Sequence, residues 1–259
     1  ALGLDRVQLY VQHDRPLLPD ELAALRELVK RRQGGESVAY IMGRKEFFGL
    51  SFAVDARVLV PRPDTETLVD EALVYLRERL TRPATESTSE RPPLKVADVG
   101  TGSGAIAVAI ARHARGTWVA ATDVSADALA VARDNAARNG VAVAFYEGDL
   151  DQALGPLAPL DLIVANLPYI PTAVLSSLPP EVRAEPALAL DGGPDGLALV
   201  RRLVAAAPAL LGPGGALALE IGAGQADDAA ALMQAAGFVD IRRRRDLAEI
   251  DRVVSGRQP

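Results

Sequence analysis

The sequence contains no cysteine. That removes a disulfide framework, thiol catalysis and thiolate metal sites from consideration. Histidine is almost as scarce: the 2 copies, His13 and His113, stand far apart. A histidine-based metal site or catalytic triad is therefore not expected, and no metal site is assigned. Aromatic residues make up only 4%, so Ala, Leu and Val must build the core that an apolar content of 49% supports. The 259 residues suffice for one large domain, or one medium domain plus a small one. No apolar run approaches the length of a membrane span, and nothing at the start resembles a signal peptide. A cytoplasmic protein without membrane association is the expectation. Positive charge is also in deficit, with a net charge of −6, which weighs against a broad nucleic-acid surface. The one dense basic run is Arg242-Arg243-Arg244-Arg245. On a strand at most two of these share a face, and a solvated edge strand whose charges deter aggregation accounts for them. The chain opens on Ala1-Leu2-Gly3-Leu4-Asp5 without Met, which reads as the interior of a longer protein with an upstream segment.

Three regions differ in character. Residues 19–33 read as an amphipathic helix, with Pro19, Asp20 and Glu21 suited to its first turn, Lys30, Arg31 and Arg32 to its last, and Gly34-Gly35 ending it. Leu22, Leu25, Leu28 and Val29 recur on one face. Residues 1–43 are thus expected to form a small helical domain. Residues 44–60, with Phe47, Phe48, Phe52, Val54, Val58 and Val60 around Gly49, read as a β-hairpin linker. Residues 61–259 form the third region. There Asp64 is placed to cap a helix beginning at Thr65, with Leu68, Val69, Ala72, Leu73 and Leu76 as its apolar stripe. Residues 82–93 are polar and proline-rich and read as a flexible surface loop.

From Leu94 the pattern alternates. Strands are expected at 95–99, 117–122, 143–147, 160–165, 215–221, 239–245 and 250–255, and helices at 103–114, 125–139, 195–211 and 225–236. Such alternation implies an α/β fold, a mostly parallel seven-stranded sheet covered on both faces. Only Asp246 to Glu249 separates the last two strands. That is too short for a parallel crossover, so the final pair is expected to be antiparallel. The six-stranded dinucleotide fold differs in both respects.

Two segments carry chemistry. Asp98-Val99-Gly100-Thr101-Gly102-Ser103-Gly104 joins the first sheet strand to its helix, where glycines permit a tight turn and close approach of backbone to a ligand. Asp123 closes the next strand and can accept both hydroxyl protons of a ribose. Gly148-Asp149-Leu150 ends the third, where a nucleobase edge could bind. Alone, the glycine turn with Asp123 also fits a nicotinamide dinucleotide. Two features favour S-adenosylmethionine. Asp98 could anchor the loop or the methionine ammonium. Asn166-Leu167-Pro168-Tyr169, following the apolar run Leu160 to Ala165, supplies an acceptor site for a methyl group. An amide oxygen beside free carbonyls can take both hydrogens of one planar –NH2, whereas an ordinary Asn-Pro turn is the plainer alternative.

The sequence resembles the release-factor glutamine methyltransferases, the PrmC/HemK family, over essentially its whole length. The carrying segments are Ala39 to Phe48, Val60-Pro61-Arg62-Pro63-Asp64-Thr65-Glu66, the glycine loop, Asn166 to Ile170, and Glu181 to Leu190. The resemblance implies a Rossmann-like methyltransferase sheet and methyl transfer from S-adenosylmethionine to a protein amide. The acceptor would be the glutamine of the Gly-Gly-Gln motif in class I peptide chain release factors, gripped by the N-terminal helices. By the same resemblance the cofactor positions fall on Gly100, Thr101, Gly102, Ser103, Gly104, Asp123, Leu150 and Asn166, with Asp149 added from the strand end, and the substrate-amide positions on Asn166, Leu167, Pro168 and Tyr169. A monomer is expected. The family usually has Pro where this chain has Leu167. That change restores a backbone N–H and frees φ but keeps the carbonyl, so activity is expected to survive, with the contribution of Leu167 lying in its carbonyl. Charged Glu46, Arg62, Asp64, Glu66, Arg183 and Glu185 are read mainly as salt bridges joining the small domain to the catalytic one. The competing class is a nucleic-acid amino-methyltransferase of the adenine-N6 type, which uses a related motif on a flipped base.

Overall fold

The computed structural model describes residues 2–4, 6–81 and 92–259. The loop expected at 82–93 lies, up to residue 91, outside the described residues. Three short helices open the chain: α1 (Arg6–Val11), α2 (Pro19–Gln33) and α3 (Val38–Met42). A hairpin of β1 (Arg44–Phe47) and β2 (Leu50–Ala53) leads to α4 (Glu66–Thr81). Then follow β3 (Leu94–Val99), α5 (Ala105–His113), β4 (Thr117–Asp123), α6 (Ala126–Arg138), β5 (Ala144–Glu147), β6 (Leu160–Ala165), α7 (Pro180–Arg183), α8 (Ala198–Leu210), β7 (Leu211–Glu220), α9 (Ala226–Ala235), β8 (Val239–Arg245) and β9 (Asp251–Arg257).

The helix α2 starts where its chemistry places it. Pro19 occupies its first position, and the Glu21 carboxylate accepts the Leu18 N–H at 2.9 Å, half of a capping box. Its apolar stripe is only partly covered: Leu22, Leu25 and Leu28 are half-buried and Val29 is exposed. The hairpin turns on Phe48 and Gly49, with φ of 50° and 71°, the pair of positive φ values that a two-residue type I′ turn demands. A bulky residue in that region is strained; the Glu66 carboxylate holds its N–H at 2.8 Å. Asp64 does not cap α4. A 3-10 turn, Pro63–Thr65, precedes that helix, and Asp64 instead pairs with Arg252 at 3.3 Å. Its neighbour Thr65 points inward.

Seven strands form one sheet in the order β5-β4-β3-β6-β7-β9-β8. All pairs are parallel except those made by β9, which is antiparallel to both β7 and β8. The tight connection between β8 and β9 makes this a hairpin, and β9 slots between β7 and β8. The strand β8, with the arginine run, is therefore left on the edge. Arg243 pairs with Asp227, Arg244 with Asp70 and Glu71, and Arg245 with Asp251.

Strand alternation sorts the core into two layers. Ala97, Val99, Ile163, Ala165, Leu217 and Leu219 face Leu203 of α8 and Met233 of α9. Val96, Leu162, Val164, Ala216 and Ala218 face Leu68 of α4 and Ile110 of α5. Each fully buried Leu, Ile or Val contributes roughly 1.5–3 kcal/mol, so the slots of the central strands are fixed by their side chains.

One buried amide ties the layers near the ligand edge. The Asn135 side chain on α6 accepts the Ala53 N–H at 2.7 Å and donates to the carbonyls of Ala53 (3.0 Å) and Ser103 (2.9 Å). It joins the hairpin, α6 and the glycine loop, and it is fully buried. Asn135→Ala leaves buried groups unpaired, and a loss of about 3 kcal/mol or more is expected in urea unfolding.

Candidate active site

Parallel register sets the ends of five strands side by side. Val99 of β3 pairs with Thr122 of β4 and Ala165 of β6, Asp123 pairs with Glu147 of β5, and Ala165 pairs with Leu219 of β7. One residue past the ends of β3, β6 and β5 stand Gly100, Asn166 and Gly148, and Glu220 is the last residue of β7. The order reverses between β3 and β6, and such a switch point opens a crevice at the carboxyl edge of the sheet.

A cavity of about 350 Å³ fills the crevice, within the size range of small-molecule sites. Gly100, Gly102, Asp123, Gly148, Asp149, Leu150, Asn166, Leu167 and Pro168 all line it. The Asp123 carboxylate accepts the N–H groups of Gly102 and Ser125, both at 2.9 Å, and keeps lone pairs for further donors. Burial raises its pKa above the ordinary carboxylate value, against those backbone bonds. Asp149 is braced by Arg202 at 2.7 Å, and Arg202 lies at the same wall. Leu150 holds a φ of 48°, a sparsely populated conformation for a non-glycine residue.

Three expected cofactor residues stand behind this wall. The Thr101 hydroxyl donates to Asp98 at 2.6 Å, Ser103 is buried with its carbonyl on Asn135, and an added Cβ at Gly104 would come within 3.0 Å of Ala132. Thr101, Ser103 and Gly104 therefore shape the loop, while Gly100 and Gly102 form its exposed surface. Asp98 likewise anchors rather than binds. It is fully buried, accepts the Ala107 N–H at 3.1 Å, and leaves Oδ1 without a partner. Burial pushes its carboxyl up to about 7, against the hydrogen bonds from Thr101 and Ala107.

A second cavity of about 220 Å³ adjoins the first, lined by Leu59, Arg62, Asn166, Leu167, Tyr169, Ile170, Val182, Ala189 and Leu190. Asn166 and Leu167 belong to both walls. Leu167 is buried, and a Cβ added at Gly100 would meet its Cδ2 at 3.2 Å. Its side chain packs against the cofactor loop. Pro168 faces the large cavity and Tyr169 the small one.

The loop carrying these residues is braced from behind. Ile170 donates to the Leu190 carbonyl (3.1 Å) and accepts from Gly192 (2.9 Å). Gln225 donates to the Tyr169 carbonyl at 3.1 Å. Gly192 and Gly196 lie so close that an added Cβ would sit 2.6 Å from the Pro168 carbonyl at the first and overlap the Tyr169 carbonyl at the second. Of the charged residues flanking the cleft, Arg62 pairs with buried Glu185 at 2.6 Å within the catalytic region, and Glu66 holds the turn of the hairpin linker. Among the described residues, an ion pair from the N-terminal helices is Arg32–Glu181 at 3.3 Å.

Two residues that the sequence reading did not assign to the site complete it. The Asn166 side-chain amide donates to the Thr65 hydroxyl at 3.1 Å. Glu220 is buried beside them, and burial pushes its carboxyl up to about 7 while hydrogen bonding by Thr65 and Asn166 favours its charged form. A single acidic residue closing the buried run Ala216 to Leu219 was the available signal. Among the described residues no cluster suits a metal ion, and no helix is long and apolar enough to cross a membrane.

Gly196→Ala should abolish turnover, because its φ of +79° and the Tyr169 carbonyl both exclude a Cβ; steady-state kinetics checks this. Asp98 gives a pH prediction. With a folded-state pKa raised to about 7, the native state holds a proton that the unfolded chain has released. Stability then falls as pH rises from about 4 to 7, by up to about 4 kcal/mol. Urea titrations across that window should show a clearly shallower decline in Asp98→Asn.

Comparison with known proteins matches this architecture. Residues 1–43 match the family described as PrmC N-terminal domain, and residues 70–176 the Methyltransferase small domain. A release factor glutamine methyltransferase of Geobacter sulfurreducens is 48% identical over 258 residues, covering 99% of this chain and 86% of that protein. Proteins of the same name from Bordetella pertussis (43% identical, 99% of this chain and 90% of that one) and Deinococcus radiodurans (40%, 100% and 87%) align as fully. Among solved structures, a methyltransferase from Pyrococcus furiosus shares the fold with a TM-score of 0.57 at 18% identity, covering 91% of this chain and 98% of that one. The hMettl16 catalytic domain, solved with a 3'UTR hairpin, does so with 0.63 at 14%, covering 94% and 93%. Identity of this order across nearly the whole length of several relatives means that the chain belongs to the release factor glutamine methyltransferase family.

Proposed function

We propose that this protein transfers a methyl group from S-adenosylmethionine to the side-chain amide nitrogen of the glutamine in the Gly-Gly-Gln motif of class I peptide chain release factors. The observation that carries the reading is the meeting of two cavities at Asn166 and Leu167. One is large enough for the cofactor, and the other is a narrower slot for an extended side chain. Gly100, Gly102, Asp123, Asp149 and Leu150 would hold the cofactor: the glycines admit it close to the backbone, Asp123 takes its ribose hydroxyls, and the Asp149–Leu150 corner meets its base. When bound, S-adenosylmethionine supplies an electrophilic sulfonium methyl.

The chain's own contribution is to position the acceptor nitrogen. An amide nitrogen is a poor nucleophile because its lone pair is delocalised into the carbonyl. The Asn166 side-chain oxygen accepts one of its N–H bonds and the Leu167 carbonyl the other, so that the lone pair is turned toward the large cavity as the nitrogen pyramidalises. Both acceptors face the positive charge that develops on nitrogen, and positioning of this kind is worth several kcal/mol. With the cofactor bound, its methyl carbon would pass to the nitrogen lone pair, the S–C electron pair would stay on sulfur as a thioether, and one of the two N–H protons held by Asn166 and Leu167 would be lost. Tyr169 walls the slot against water.

Residues 1–43 act as the grip on the release factor, residues 44–60 as the linker, and residues 61–259 as the methyltransferase. The enzyme works as a monomer in the cytoplasm without stable nucleic-acid binding. Mass spectrometry of a release factor incubated with enzyme and S-adenosylmethionine tests the reading. A methyl group on the Gly-Gly-Gln glutamine is expected, and transfer to DNA or RNA instead would overturn it. Asn166→Ala should lower kcat by about 100-fold or more while changing cofactor affinity far less. Equal losses in both would remove Asn166 from its role.

A further inference from the structure

An asparagine amide has two ends of nearly equal shape and opposite hydrogen-bonding character. The proposed chemistry needs the oxygen end in the slot and the –NH2 end turned away. From the surroundings of Asn166 we infer that Thr65 and Glu220 form a positioning pair that fixes this orientation. The inference rests on the reading of Asn166 as the acceptor of a substrate N–H.

The geometry supplies one observed hydrogen bond and a buried acceptor that directs it. Thr65 and Glu220 are both buried, at 4% and 1% exposure, so water does not scramble their partners. Parallel pairing of Ala165 with Leu219 brings the next residues, Asn166 and Glu220, alongside on the same face of the sheet. Thr65 reaches the same point from the turn before α4, and the Asn166 –NH2 donates to its hydroxyl oxygen at 3.1 Å. The Glu220 carboxylate lies close enough to Thr65 and Asn166 for both to favour its charged form, and its Oε2 is buried without a hydrogen-bond partner. Above its raised pKa of about 7 the carboxylate is ionised and only accepts. The single Thr65 O–H is therefore drawn to Glu220, which leaves the Thr65 lone pairs for Asn166. Both inner neighbours of Asn166 are then acceptors. They take its –NH2 and leave Oδ1 for the slot. A flipped amide would set Oδ1 against two acceptors and strand buried groups without partners.

Arg252 completes the setting. It faces Glu220 electrostatically and is itself held by Asp246 at 3.0 Å and Asp64 at 3.3 Å. Its charge favours the ionised carboxylate on which that direction depends. The same arrangement selects an amide over an acid at position 166, because a carboxylate there would face Glu220 with like charge.

The test uses the full chain, its release factor and S-adenosylmethionine. Four variants are compared: Thr65→Val, Thr65→Ser, Glu220→Gln, and the Thr65→Val with Glu220→Gln double. Val removes the hydroxyl at nearly constant volume. Gln can donate to Thr65 and so reverses that direction. Thr65→Val and Glu220→Gln should each lower kcat by about 10- to 100-fold, as loss of an outer orienting partner does elsewhere, with the cofactor Kd unchanged by titration. Thr65→Ser should retain most of the turnover, and the double variant should be little worse than either single one. In the folded protein, the side-chain –NH2 resonances of Asn166, assigned through their loss in Asn166→Ala, should shift in Thr65→Val and stay in place in Thr65→Ser. Full turnover in folded Thr65→Val, equal losses of turnover and cofactor binding, or equal damage from Ser and Val would overturn the proposal. Should Glu220→Gln not fold, the Val and Ser comparison with the resonance shift decides alone. Failure of the unsubstituted enzyme to methylate glutamine would instead overturn the function reading, and is scored separately.

Discussion

The site depends on keeping the ends of four strands level. Parallel register aligns Val99, Thr122, Ala165 and Leu219 across the sheet, and a slip of one residue would turn every core side chain outward. The buried alternation of β3, β6 and β7 forbids that slip. Each functional group at the edge inherits its position from apolar residues that have no chemistry of their own. Asn166 is held to its place by Leu162, Ile163, Val164 and Ala165 before any hydrogen bond is counted.

Polar groups then refine what burial has placed. Asp98 binds the glycine loop to the first turn of α5, and Asn135 binds the same loop to the hairpin. Gly192 and Gly196 let a second loop lie directly against the carbonyls of Pro168 and Tyr169. These contacts are costly to arrange, since burial disfavours the charged forms of Asp98 and Glu220. Fixed acceptors in a dry setting do not need to reorganise during reaction, and that is the return on such strain.

Much of this was legible in the residues. The alternating pattern after Leu94 predicts the seven strands and their antiparallel end, because a strand buried on both faces must be an apolar run. Gly100, Asp123 and Asn166 are legible as edge residues because each follows such a run. Leu167 makes one contact that no local pattern shows. From sequence its side chain was unaccounted for, since nothing local says that Gly100 lies against it. Asp64 was misread as a cap for a related reason: Arg252, its partner, is distant in the chain.

The sequence by itself determined the elements, the sheet class and the identity of the residues at its ligand edge, because periodicity and turn chemistry act over a few neighbours. The tertiary structure alone decided that β9 lies between β7 and β8, that Thr101 and Ser103 turn inward, and that Thr65 and Glu220 meet behind Asn166. Those facts depend on register and on packing between elements, over separations that reach 101 residues for Thr65 and Asn166, which no local pattern encodes.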